Sequence, residues 1–122
     1  MTERHPDEFL GTPAASNPLT LVAYHLLVQL LDAAGAPKGK SSRGACNVVD
    51  DWFVLRFTKI GWHHLCNLSS DSMLGFVIQL ARTWKPEYHS DGEHVFSIPI
   101  SEVVDLIELL TQTLDAIEGV KP

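Results

Sequence analysis

Five side chains in the second half of the chain carry donor atoms that hold metals: His63, His64, Cys66, His89 and His94. Neutral imidazole and thiolate are ligands that zinc favours, and a hairpin with an adjoining loop could supply four of them. The spacing is unlike a zinc knuckle: there is no Cys-x2-Cys pair, and His64-x-Cys66 is tighter than the usual ligand separations. On an alternating strand His64 and Cys66 share one side while His63 faces the other. The plainer reading makes Cys66, next to Leu65 and Leu68, a small core hydrophobe, with His63 and His64 exposed. A metal-dependent protein with a His/Cys site is therefore an alternative, and the leading reading needs no cofactor.

Covalent and acid–base chemistry find less support. Cys46 or Cys66 as a nucleophile would need a histidine base brought near by the fold, and no local motif announces one. Asp50 and Asp51 are adjacent, so on a strand they point to opposite faces and cannot share a proton. Gly39-Lys40-Ser41 lacks the spacing of a phosphate loop, because Ala34 stands where the first glycine belongs and a helix precedes it. No residue stands out as catalytic, and the chain reads as a non-enzyme.

Two surface patterns point to binding. Trp52 and Arg56 fall on one side of a strand with Lys59 and Trp62 close in sequence, a set that could stack and neutralise a single nucleic-acid strand. Trp52 and Trp62 would equally pack as a cross-strand pair. The layout of strands followed by a capped helix is similar in architecture to small single-strand-binding modules. Against that use stand a net charge of -6 and a pI near 5.4, since phosphate affinity rests on clustered Lys and Arg. The second pattern is the run from Pro86 to Val120. It holds Glu87, Asp91, Glu93, Glu102, Asp105, Glu108, Asp115 and Glu118 and no Lys or Arg. Asp105, Glu108 and Asp115, with Gln112, form the wet stripe of a helix, and one-signed charge on a regular helix suits a basic protein partner.

These residues must be positioned by about six elements. Residues 1–16 are polar, punctuated by Pro6, Gly11 and Pro13, and read as an N-terminal arm in which Phe9 and Leu10 could dock. Asn17-Pro18 is a helix start, and the helix runs to Ala34 before Gly35. Leu19, Leu21, Val22, Leu26, Leu27, Val28, Leu30 and Leu31 make it apolar nearly all round, which fits a central core helix or a homodimer interface. Residues 35–47 form a Gly/Ser loop whose Lys38, Lys40 and Arg43 are the basic cluster. Val48–Thr58 is a strand with Phe53, Leu55 and Phe57 on the core side. Lys59-Ile60-Gly61 is a turn into a second strand, 62–68. A helix capped by Ser69, Ser70 or Asp71 runs to Trp84, with Gly75 allowing a close crossing. An Asp91-Gly92 turn leads to a strand over 94–100, in which Pro99 suggests an edge position or the strand's end. Ser101 then caps a helix to Glu118, with Val103, Leu106, Ile107, Leu110, Leu114 and Ile117 inward.

At 122 residues and 45% hydrophobic content, the chain is long enough for one self-sufficient domain, 17–122. The order predicts an α+β fold, a small mainly antiparallel sheet of about three strands on three helices. The first ten residues lack an apolar signal segment, and Leu19–Leu31 is too short and polar for a membrane span. Two cysteines make no disulfide framework, and a cytoplasmic setting is expected. The leading functional expectation is a small regulatory or interaction protein, a homodimer that meets a basic partner through Asp105, Glu108 and Asp115.

Overall fold

The structure is a computed structural model that describes residues 17–67 and 71–119. The expected arm, with Phe9 and Leu10, and the caps Ser69 and Ser70 lie outside the described residues. In chain order come α1 (Pro18–Ala33), a one-turn α2 (Lys40–Arg43), β1 (Gly44–Val49), β2 (Trp52–Phe57), α3 (Lys59–Cys66), α4 (Asp71–Thr83), β3 (Glu87–Tyr88), β4 (His94–Pro99), a 3-10 turn over Ile100–Glu102, and α5 (Val103–Gly119). The fold is α+β. The strands pair antiparallel in the order β1-β2-β4-β3.

α1 starts as its sequence says it should. The Asn17 side chain accepts from the Leu19 N–H at 2.9 Å, and Pro18 fills the first helical position, where its missing N–H costs nothing. Gly35, at φ 78, ends the helix in the left-handed region that glycine tolerates. Ala23, Leu27, Leu30 and Leu31 are fully buried in the chain's own core. Leu19 and Val22 near its start remain exposed. α5 packs chiefly on α1 and also on α4.

The sheet separates two faces. Phe53, Leu55 and Phe57 of β2, with Cys46 of β1 and Phe96 and Ile98 of β4, join the helix residues in one contiguous core, as the alternation predicts. The helices cover this face. Trp52, Val54 and Arg56 project from the other, beside Val95, Ser97 and Pro99 of β4. Among the described residues, no helix is long and apolar enough to cross a membrane.

Five local expectations fail, each for a physical reason. The strand read over 48–58 is the end of one strand and all of the next: Asp50-Asp51 is the turn of a β-hairpin, with Asp50 at φ 53. The supposed basic loop at 35–47 contains α2 and most of β1, and it carries Arg43 and Cys46 into the interior. The segment 62–68 is not a strand. Thr58 accepts from the Gly61 N–H at 2.9 Å and caps α3 over Lys59–Cys66, which puts Gly61 and Leu65 inward and lays Trp62 and Cys66 against the core. Gly61 is needed for proximity and not for a turn, since a Cβ there would lie 2.6 Å from the Arg43 carbonyl oxygen. Gly75 marks no close crossing, because a Cβ there would meet nothing within 4 Å.

Candidate functional site

The acidic helix of the sequence reading opens onto a groove. Residues Asp105, Glu108, Leu109 and Gln112 of α5 face Gly75, Gln79 and Thr83 of α4, with Trp84 just beyond the end of α4, around a hollow of about 530 Å³. Its existence follows from local sequence. Met73, Phe76, Val77 and Leu80 turn α4's apolar stripe into the core, so Gly75 and Gln79 fall on the outer side. On α5 the same logic sends Val103, Leu106 and Leu110 inward and leaves Asp105, Glu108 and Gln112 on the rim. Gly75 lines the gap where the two outer faces meet, and a Cβ there would meet nothing within 4 Å. The Trp84 indole Nε1–H donates to Glu102 Oε1 at 2.7 Å and ties the end of α4 to the start of α5.

Chemically the groove has two carboxylates at the rim, two amides and a hydroxyl for hydrogen bonding, and Leu109 and Trp84 as apolar surface. No Lys or Arg lines it. That combination suits a long cationic side chain, whose methylene stem can lie on apolar surface while its head meets a carboxylate. Asp115 is exposed two turns further along α5 and is not part of the lining.

The aromatic and basic set is divided by the fold. Trp52 and Arg56 are each about half exposed on the face of the sheet away from the helices, as the alternation requires, while Val54 and Val95 on that face are buried. Trp62 is on α3, on the core side. Its ring stacks on His94 at 4.6 Å between centroids and leans on Phe57 and Phe96 at 5.5 Å. Lys59 lies beneath the β3–β4 turn, close enough that a Cβ on Gly92 would sit 2.9 Å from its side chain. The four residues do not share a platform.

The five metal-ligand candidates are likewise dispersed. His63 and His64 meet edge to face on α3, and His63 Nδ1 lies 3.1 Å from the Asn67 amide. Cys66 of α3 is packed against the core, and burial raises its thiol pKa. His94 directs Nδ1 at the Gly92 carbonyl at 3.0 Å and is flanked by the Trp62 and Tyr88 rings. His89 alone keeps company with other donors. Its ring, Asp91 and Glu93 each place a ligand atom within 4.8 Å of the others, and they form the group of this kind found among the described residues. The sequence held this signal as His89-x-Asp91-x-Glu93 around an Asp-Gly turn; the acids there had been read as part of a general acidic run.

Cys46 is fully buried, and desolvation pushes its thiol up to about 12, so it stays protonated at neutral pH. Neither thiol is thereby a thiolate nucleophile. Arg43, expected in a basic patch, is almost wholly buried. Its Nη2 donates to Asp32 Oδ1 and to the Ala36 carbonyl at 3.0 Å, so its charge is spent inside the fold. Asp50 and Asp51 occupy the hairpin turn.

Comparison with known proteins finds no matching protein family, no matching curated protein and no matching solved structure.

Proposed function

We propose that this chain is a small non-enzymatic interaction protein that binds a basic segment of another protein in the groove between α4 and α5. The observation that carries the reading is the coincidence of an open groove with the acidic stripe of α5. Asp105 and Glu108 would meet a Lys or Arg head, Gln79, Thr83 and Gln112 would hydrogen-bond the segment, and Leu109 and Trp84 would take its aliphatic stem. Docking of a segment into a groove is a recurring mode of peptide recognition, and a solvated charged helix face needs no such groove beside it.

The homodimer expectation rested on the apolarity of α1. Most of that surface is buried within the chain, so the proposal requires one copy only. Asp115 moves from the centre of the reading to its edge.

The test is affinity capture from lysate of the source cells, with folded wild type, Asp105→Lys/Glu108→Lys, and Asp115→Lys as bait. A partner kept by wild type and Asp115→Lys and lost by the double variant is the expected result. Equal capture by all three baits would return the stripe to an ordinary wet face.

A further inference from the structure

The β3–β4 hairpin builds a second set of donors, on residues other than those of the groove. The His89 N–H donates to the Glu93 carbonyl at 3.0 Å and the Gly92 N–H to the His89 carbonyl at 2.9 Å, closing a tight loop. Positions 89 and 93 therefore stand opposite each other and 91 sits at the tip. Gly92, at φ 89, permits the bend and rests on the Lys59 side chain. His89 Nδ1 lies 3.2 Å from Glu93 Oε1. On the ring's other nitrogen, Nε2 faces Glu87 Oε1 at 3.7 Å.

We propose that His89, Asp91 and Glu93 bind a divalent transition-metal ion, with zinc the favoured occupant. The donor set decides the class. One imidazole with two carboxylates suits zinc and its neighbours, while calcium and magnesium prefer all-oxygen shells and copper(I) prefers sulfur. Glu87 is largely exposed, and its Oε1 stands 3.7 Å from His89 Nε2, beyond hydrogen-bond distance. Metal-bound histidines commonly present their second ring nitrogen to a carboxylate, which fixes the ring and raises its basicity, and Glu87 stands on that side. Bonds of about 2.0–2.1 Å to zinc need donors closer together than the 4.8 Å span here. His89 and Asp91 are exposed and clear of the core; Asp91 Oδ1 accepts from the Glu93 N–H at 3.0 Å, so Asp91 would ligate through its other oxygen or give up this bond. Three protein donors leave a coordination position for water or a ligand. A hollow of about 300 Å³ lined by Thr58, Lys59 and Ile60 adjoins Asp91 and Glu93.

Arg56 enters as a competitor. Its guanidinium is 3.7 Å from Glu93 Oε1, so a metal ion must share or displace it. Removing the Arg56 charge should strengthen metal binding, the opposite of what loss of a structural contact would do.

The experiment is calorimetric titration of zinc chloride into full-length protein stripped with a chelator and then dialysed free of it. The variants are His89→Ala, Asp91→Asn, Glu93→Gln, Arg56→Gln and His63→Ala/His64→Ala, each checked for native circular dichroism. One zinc per chain is expected. Affinity should fall at least tenfold in each of the three ligand variants, hold in the double histidine variant, and rise in Arg56→Gln. Magnesium or calcium in excess should not compete. Binding that survives the three ligand variants, or that vanishes with His63 and His64, overturns the proposal, as does the absence of a one-to-one site in wild type.

Discussion

Replacing Gly75 with alanine should make this protein more stable, and the amount can be worked out beforehand. Gly75 is inside α4, four residues past its first residue and eight before its last. Glycine in a helix interior costs about 1 kcal/mol against alanine, because the unfolded chain is freer and the helix gains no side chain. That gain is realised only where a methyl group fits. An added Cβ at position 75 meets nothing within 4 Å, and the backbone there is not in the left-handed region. Gly75→Ala should therefore add roughly 1 kcal/mol, seen as a rise of about 3–5 °C in Tm for a domain of this size. Urea denaturation should show a higher midpoint at an unchanged slope. Gly75→Leu extends the test from stability to recognition. Leucine keeps most of the helix gain but adds bulk to the groove's lining, so partner capture should fall while Tm does not. If Gly75→Ala lowered stability, α4 and α5 would have to approach at this residue, and the groove with its proposed role would be lost.

Gly44 should behave in the opposite way: at φ 136, with a Cβ placed 1.8 Å from the Arg56 carbonyl oxygen, Gly44→Ala should cost at least about 2 kcal/mol in urea unfolding. Cys46 predicts an alkaline loss of stability. Its folded pKa of about 12 lies above the ordinary 9.0, so its contribution is complete below pH 9 and drains away as pH rises towards 12. By pH 10 wild type should have lost about 1.4 kcal/mol that Cys46→Ala does not lose, as measured by denaturation at pH 8 and pH 10. Asp32→Ala should be more damaging than Arg43→Met, because the first strands a buried guanidinium and the second removes it; losses of about 3 kcal/mol and about 1 kcal/mol or less are expected by thermal unfolding.

How far the sequence disclosed the fold depended on whether a residue's role was set locally. α1 was legible end to end because Asn17, Pro18 and Gly35 act on their immediate neighbours. The inward face of β2 was legible because alternation is a property of the strand itself. β1 was hidden: Gly44, Ala45, Cys46 and Asn47 have weak strand preference, and pairing with β2 holds them. Reading 48–58 as one strand overlooks the two aspartates that divide it. An eleven-residue strand is long, and Asp-Asp in its middle is turn chemistry. α3 was missed because Lys59-Ile60-Gly61 resembles a turn, while the deciding contact is the Thr58 cap.

The groove shows where a single chain of letters stops informing. The wet stripe of Asp105 and Glu108 followed from the period of α5 alone, but a stripe becomes a site only through what stands across from it. Gly75 on α4 is that residue, and its identity was visible while its meaning was not. Glycine in a helix permits either a close crossing or an opening, and the two differ in the sign of one substitution. A close crossing makes added bulk destabilising; an opening makes it stabilising, and here the space beside Gly75 is clear out to 4 Å. If the proposed function holds, recognition and stability are set against each other at one position: the residue that weakens α4 is one that would leave room for a partner. On the proposed reading that space seats a basic segment, and the stability of Gly75→Ala together with the binding of Gly75→Leu decides whether the reading stands.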